Sequence, residues 1–252
     1  MPSIIAFPVG LLVGSFVTVL AHRVPRGQGF VAGRSRCPAC RAQIAAYDNV
    51  PVVSWLLLRG RCRSCGEHIS ARYPLAEVAV ALLYAATVLI IGTEDVAALV
   101  SGLVLCTVLV AITLTDLERR VIPNRIVAAG AIAAVTIAAV GDPSELPERL
   151  AAGAIAGGVL FAVSLAYPRG MGMGDVKLVA MMGLFLGSAV APAVLLGFAA
   201  GAVVGLMMIA RHGAAARKQA IPFGPFLALG GVVGLWWGPE IVDWYVSRFF
   251  GG

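Results

Sequence analysis

The chain has 252 residues, 60% of them hydrophobic and only 13% charged, with a mean hydropathy of +0.92. A soluble globule needs a charged shell, and 19 Lys and Arg with 13 Asp and Glu cannot cover one rich in Ala, Val, Leu and Gly, so soluble, disordered and collagen-like classes are excluded. The net charge of +6 comes without a basic patch interleaved with aromatic residues, so no nucleic-acid partner is expected.

Apolar blocks of about 15–20 residues recur along the chain, the length that crosses a hydrocarbon core, and glycine is frequent inside them. The expected fold is an all-α polytopic membrane protein whose partner is the lipid bilayer. In chain order the predicted spans are Ile4–Leu20, Leu75–Ile91, Ala97–Thr115, Ile126–Val140, Leu150–Tyr167, Val176–Val190, Ala193–Ala210 and Ile221–Gly238. These make eight and place both termini on one side. Only Ser188, Ala189 and Pro192 suggest a turn between the sixth and seventh, so a single broken segment is the alternative there. The first span is followed by His22-Arg23 and has no basic start or small-residue cleavage site, so it reads as retained.

Segments 21–72, 116–125, 168–177 and 211–219 carry 17 of the 19 Lys and Arg, leaving Arg149 and Arg248 opposite. By the positive-inside rule these four segments are cytoplasmic and the termini are outside. The expected division is residues 1–20 as a first transmembrane helix, 21–72 as a cytoplasmic loop domain, and 73–252 as the main transmembrane domain.

Four of the five cysteines lie in that loop, as Cys37-Pro38-Ala39-Cys40 and Cys62-Arg63-Ser64-Cys65. Each two-residue gap lets one tight turn present two thiolates to one ion, and two such turns complete a tetrahedral four-sulfur site suited to Zn²⁺. Four thiolates leave no open position, so the role is structural. Two disulfides are the alternative, disfavoured on the reducing side of the membrane. His68 is a spare potential ligand, and Cys106, inside a span, reads as a small apolar residue.

Ionisable residues at the edge of a span are costly unless paired or functional, and two stand out: Asp116 where the third span ends and Asp175 where the sixth begins. Both map to the cytoplasmic side. Two carboxyls brought together by packed helices supply a base to activate water and an acid to protonate a leaving amine, which is the chemistry of an aspartic-protease dyad. Asp175 closes the run Gly170-Met171-Gly172-Met173-Gly174-Asp175, where glycines permit positive φ and a close approach of an extended substrate strand; Gly172 and Gly174 are the candidate substrate contacts. A nucleotide-binding loop is excluded there, because no βαβ pattern surrounds it. The competing readings are a proton- or ion-coupled transporter using the same two aspartates, and a zinc-stabilised assembly scaffold in which they only pair with arginines.

The order of motifs resembles the bacterial type IV prepilin peptidases, the GxGD family of membrane aspartic proteases, over nearly the whole chain. The match rests on Gly14-Ser15-Phe16 with His22-Arg23-Val24-Pro25, the paired cysteine turns, Asn49-Val50-Pro51 with Ser54-Trp55, and Arg72-Tyr73-Pro74-Leu75-Ala76-Glu77. It continues through Asp116 followed by Ile122-Pro123, Gly172-Met173-Gly174-Asp175-Val176-Lys177-Leu178, and Pro222-Phe223-Gly224-Pro225-Phe226. Thr18 and Asn124 stand where Asn and Asp are common.

The resemblance implies an inner-membrane endopeptidase that removes the basic leader from type IV prepilins and pseudopilins, with Asp116 and Asp175 as catalytic residues. It also implies methylation of the new N-terminus with S-adenosyl-L-methionine, an activity associated with the enlarged loop. Asp48, Glu67, Glu77 and Glu118 are available to attract a basic leader, Glu77 foremost because it lies in the first turn of a predicted span. The Pro222–Phe226 segment is expected to break the start of the last helix near the same face.

Overall fold

A computed structural model of the chain describes residues 2–29, 35–167, 170–213 and 221–250. Arg34, Arg169, Arg217 and Lys218, four of the cations that orient the chain in the sequence reading, lie outside the described residues. Among the described residues there are nine α-helices and no strand. They are α1 (Pro2–Arg23), α2 (Val53–Leu57), α3 (Arg72–Ile91), α4 (Val96–Arg119), α5 (Asn124–Gly141), α6 (Leu146–Ala166), α7 (Met173–Leu186), α8 (Val190–His212) and α9 (Gly224–Phe249). The chain is a multi-pass membrane protein: seven stretches of the described residues are long and apolar enough to cross a bilayer.

One of those stretches, Met173–Arg211, has 39 residues, or about 58 Å of helix, nearly twice a hydrocarbon core. It is broken by a 3₁₀ turn at Gly187–Ala189, where Gly187 has φ +56°. Divided at that break into α7 and α8, it restores the eight segments expected from hydropathy. The last helix differs more. The predicted span stops at Gly238, yet α9 continues through Pro239 to Phe249. A proline removes one helical hydrogen bond without ending the helix, and ring contacts of Trp244 and Tyr245 with Phe249 staple the final turns.

The chain divides into two compact units, Met1–Thr93 and Glu94–Gly252. In the first, α1 and α3 cross closely because Gly10 and Gly14 leave room for backbone. A Cβ on Gly10 would lie 2.6 Å from Ala81 Cα, and one on Gly14 would lie 2.6 Å from Glu77 Cα. This is the small-residue packing that lets membrane helices associate without a hydrophobic driving force.

In the second unit, α6 packs on α7 through Gly153 against Gly183 and Gly157 against Ala180, while Gly234 and Gly238 of α9 meet Ala193 and Ala189. Helix α4 contacts α5, α7 and α9. Leu105, Leu109 and Ile112 of α4, Leu178, Met181 and Met182 of α7, and Leu227 of α9 are fully buried between them. This core fixes the ends of α4, α7 and α9, which carry the acidic site.

Candidate functional site

Helix α4 runs one turn further than hydropathy suggests, so Asp116 lies inside its last turn rather than at its edge. Its neighbour Thr115 is fully buried and Asp116 itself is 6% exposed. The Asp116 Oδ2 accepts the backbone N–H of Gly224 at 2.8 Å. Gly224 is the first residue of α9, and its N–H is one of the donors that a helix start leaves without an intrahelical partner. A Cβ there would stand 2.8 Å from the same Oδ2, so only glycine permits this approach. After Asp116 the chain turns sharply: Arg120 adopts φ +54° and its N–H closes on the Asp116 carbonyl at 2.8 Å.

Asp175 sits in the first turn of α7, half-buried, and its Oδ2 accepts the N–H of Gly172 at 3.3 Å, a helix-start contact from side chain back to backbone. Asp116 and Asp175 stand near enough for their charges to interact, with the Arg120 guanidinium also within electrostatic reach of Asp116. The two aspartates singled out from sequence, 59 positions apart, are thus brought together by α4–α7 packing. Beside them Lys177 Nζ donates to Asn124 Oδ1 at 3.1 Å, tying the first turns of α5 and α7.

The glycines before Asp175 work differently from expectation. None of Gly170, Gly172 and Gly174 adopts positive φ. Gly172 lends its N–H to Asp175, and Gly174 makes room for the α4–α5 linker: a Cβ on it would lie 3.0 Å from Ile122 Cβ. Close approach, not left-handed backbone, is what glycine supplies here.

In the first unit the four loop cysteines converge. The Sγ atoms of Cys37, Cys40, Cys62 and Cys65 all lie within 4.8 Å of one another, so the cluster can hold a metal ion. Cys37 and Cys65 are 3.8 Å apart, and a tetrahedron with about 2.3 Å metal–sulfur bonds has edges of about 3.8 Å. All five cysteines are free thiols. Backbone N–H groups of Cys65 and Ser64 pull the Cys62 thiol down to about 7, so thiolate forms readily. His68 is not among the four; its backbone bridges Arg61.

The two cysteine turns are copies of one another, a relation that sequence reading missed. Cys37 N–H bonds Ala42 and Arg41 N–H bonds Cys37, just as Cys62 N–H bonds Glu67 and Gly66 N–H bonds Cys62. Ile44 closes on Ser35 as Ile69 closes on Gly60. The signal was present in the 25-residue offset that superposes Cys37, Cys40 and Ile44 on Cys62, Cys65 and Ile69.

Glu77 falls in the second turn of α3, not the first, because the helix begins at Arg72. It is buried, and its Oε2 accepts the Val52 N–H at 2.7 Å while the Ser15 hydroxyl bonds the same carboxylate. Val52 has φ +60° and ψ −50°, with Val53 N–H closing on the Pro51 carbonyl: a three-residue turn rare for a β-branched residue. Glu77 therefore pins a strained turn of the loop to the α1–α3 pair.

Fold and site together define a polytopic membrane protein with an aspartate pair at the packed ends of its helices and a four-cysteine cluster able to hold a metal ion in its first loop. Residues 9–91 match the Bacterial Peptidase A24 N-terminal domain and residues 103–206 match the Type IV leader peptidase family. The chain is 35% identical to the prepilin leader peptidase/N-methyltransferase of Aeromonas hydrophila, over 97% of this chain and 94% of that protein. Its identity to the proteins of the same name from Stutzerimonas stutzeri (35%, over 96% and 93%) and Bacillus subtilis strain 168 (34%, over 98% and 99%) is similar. The chain belongs to the type IV leader peptidase family. No solved structure matches it.

Proposed function

We propose that the protein is a membrane aspartic endopeptidase that removes the basic leader from type IV prepilins and pseudopilins, then methylates the new N-terminal amine. The convergence of Asp116 and Asp175 at the ends of α4 and α7 carries this reading, in a chain of the leader peptidase family whose relatives bear both activities in their names. One carboxylate takes a proton from water, and the water oxygen bonds to the scissile carbonyl carbon while the other, protonated, carboxyl hydrogen-bonds the carbonyl oxygen. The C–N bond then breaks and the leaving amine takes a proton from the pair. Gly224 and Gly172 N–H groups hold the two carboxylates in place.

A pair at helix ends meets water while the substrate's apolar helix stays in lipid and its leader stays in the cytoplasm. The charge bias supports an inner-membrane orientation with the loop and the aspartates cytoplasmic and both termini outside. Exposed Gly172, with Gly174 next to Asp175, is the place for the extended segment of substrate. Glu77, already engaged by Val52 and Ser15, serves as a strut of the loop rather than a leader contact.

We assign the functional parts as residues 1–20, a first membrane helix; 21–72, a loop domain organised by Zn²⁺ on Cys37, Cys40, Cys62 and Cys65; and 73–252, the peptidase proper. Zinc here is structural, since four sulfurs close its coordination. S-adenosyl-L-methionine is the methyl donor, a co-substrate. The transporter and scaffold readings lose their footing to the family membership. The test is the intact mass of a co-expressed prepilin from cells carrying wild type or Asp175→Asn: leader loss and one added methyl with wild type alone are expected. Cleavage by both chains removes Asp175 from the reaction, and cleavage by neither, with both verified in the membrane, rejects the peptidase.

A further inference from the structure

The short helix α2 is amphipathic the wrong way round for a water-exposed loop. Its inward side is spoken for: Ser54 is buried and hydrogen-bonds the Tyr47 carbonyl at 2.9 Å, and Trp55 packs on Gly60 and donates from Nε1 to the Ile69 carbonyl at 2.9 Å. The outward side is Val53, Leu56 and Leu57, at i, i+3 and i+4, exposed by 50%, 60% and 78%. That is a continuous apolar stripe on one helical face. Arg59 and Arg61, both exposed, follow directly, and no acidic residue occurs between Asn49 and Gly66.

Two observations give this stripe its depth. The Val52–Glu77 hydrogen bond of 2.7 Å fixes the start of α2 beside the second turn of α3. Helix α3 in turn exposes Leu75, Leu82 and Leu89, spaced by seven, as a lipid-facing row beginning in its first turn, beside exposed Tyr73. The start of α2 is thus held within a few residues of the N-terminal end of α3, where its apolar span begins.

We propose that α2 is an interfacial anchor: Val53, Leu56 and Leu57 insert among the lipids at the N-terminal end of α3, and Arg59 and Arg61 engage anionic headgroups. Apolar side chains facing the membrane boundary with arginines at their flank is the pattern of helices that lie in the interface plane. The anchor sets the height and tilt of the four-cysteine cluster over the bilayer from a third point, besides the links to α1 and α3. This inference stands apart from the peptidase reading, since it concerns only the first unit and its lipid.

The experiment places the photoreactive residue p-benzoyl-L-phenylalanine at position 57 of the full chain. The protein is reconstituted in nanodiscs of phosphatidylcholine, with and without phosphatidylglycerol, and peptides are identified by mass after irradiation. Expected is a phospholipid adduct on the peptide carrying position 57, with a yield that rises when phosphatidylglycerol is present and no longer does so in an Arg59→Gln, Arg61→Gln chain. The same residue at Leu82 is the positive control and at Glu67 the negative one. A cross-link from position 57 to another peptide of the protein would show that protein covers the stripe and would overturn the proposal. So would the absence of any adduct at 57 alongside lipid adducts at 82, which marks the stripe as solvent-facing.

Discussion

Residues 35–70 and the helices after Glu94 differ in what holds them together. The loop has almost no apolar core: of its side chains Cys37 and Ser54 are among the few that are buried, and its order comes from backbone hydrogen bonds around two cysteine turns. The later helices meet through glycine and alanine over long contacts, with fully buried Leu, Ile and Met in between. A region tied to one point fails when that point is removed, whereas a region with distributed packing tolerates the loss of a polar side chain and keeps its fold. The aspartate pair belongs to the second kind, so its chemistry is separable from stability; the cysteine cluster belongs to the first, so its chemistry and its fold are one.

The largest effect expected is on the aspartates. Asp116→Asn or Asp175→Asn removes the group that takes or gives the proton, and cleavage should fall by at least about 10²–10⁴-fold, the usual worth of acid–base catalysis. Thermal melting in detergent should barely move, because the neighbouring core of Leu109, Ile112 and Leu178 is untouched. Unfolding of both variants would erase the contrast between the two regions.

Metal removal should do the opposite. Stripping the ion with a chelator, or Cys62→Ser, is expected to bring amide exchange in residues 35–70 close to that of an unfolded chain while α4 to α9 stay protected, because folding of so small a core is bound up with metal binding. Acid should act the same way. The Cys62 thiol, held by two backbone N–H groups, titrates at about 7 instead of the ordinary thiol range near 8.5. A lowered value means that the thiolate's contribution is complete above the ordinary value and is lost as pH falls through about 7. Protons compete with the metal for the same sulfurs, so release followed with a zinc-sensitive dye should rise as pH falls.

Gly224→Ala sharpens the comparison from the side of the helices. The new Cβ would lie 2.8 Å from Asp116 Oδ2, so either the carboxylate or the start of α9 must shift. Overpacking of this kind costs about 1–3 kcal/mol, and if it falls on the reacting geometry the rate drops by about 10–100-fold. The decrease should appear in kcat with KM unchanged, since Gly224 acts through the Asp116 carboxylate. An equal change in both would place the substrate against α9.

How much of this was legible in the sequence depended on the range of the interaction. Hydropathy located the spans, and spacing located the cysteines that converge, because both are local patterns: a run of apolar residues, or two cysteines on one turn. The two aspartates could be picked out by their cost at a membrane edge, although their proximity is a product of α4–α7 packing. The hydrogen bond from Gly224 to Asp116 joins residues 108 positions apart, and no local pattern announces it. The end of α9 was hidden for a like reason: the predicted span stops at Gly238, while aromatic contacts further along carry the helix on to Phe249. The strained turn at Val52 was equally hidden, since what holds it is Glu77, in another helix.

The smallest effect should come from Asp48→Asn. Arg63 donates to both Asp48 oxygens, at 2.8 and 2.6 Å, and its guanidinium lies 5.5 Å from the centre of the Tyr47 ring. These hydrogen bonds hold the Asp48 carboxyl below its ordinary value, against the opposing pull of partial burial. The sign follows as for Cys62: the contribution is present above the ordinary carboxylate range and disappears only as pH falls through the lowered value. Well before that point the thiols have taken up protons and the metal has gone, so acid titration of the wild type reports the cysteines and never reaches Asp48. Only the variant at neutral pH isolates the pair. An ion pair whose arginine is exposed is weak, and the expected outcome is slightly faster amide exchange around Arg63 with the metal retained. Loss of metal from Asp48→Asn would mean that the loop is held by its hydrogen-bonded surface as much as by its sulfurs, and the difference between the two regions would narrow accordingly.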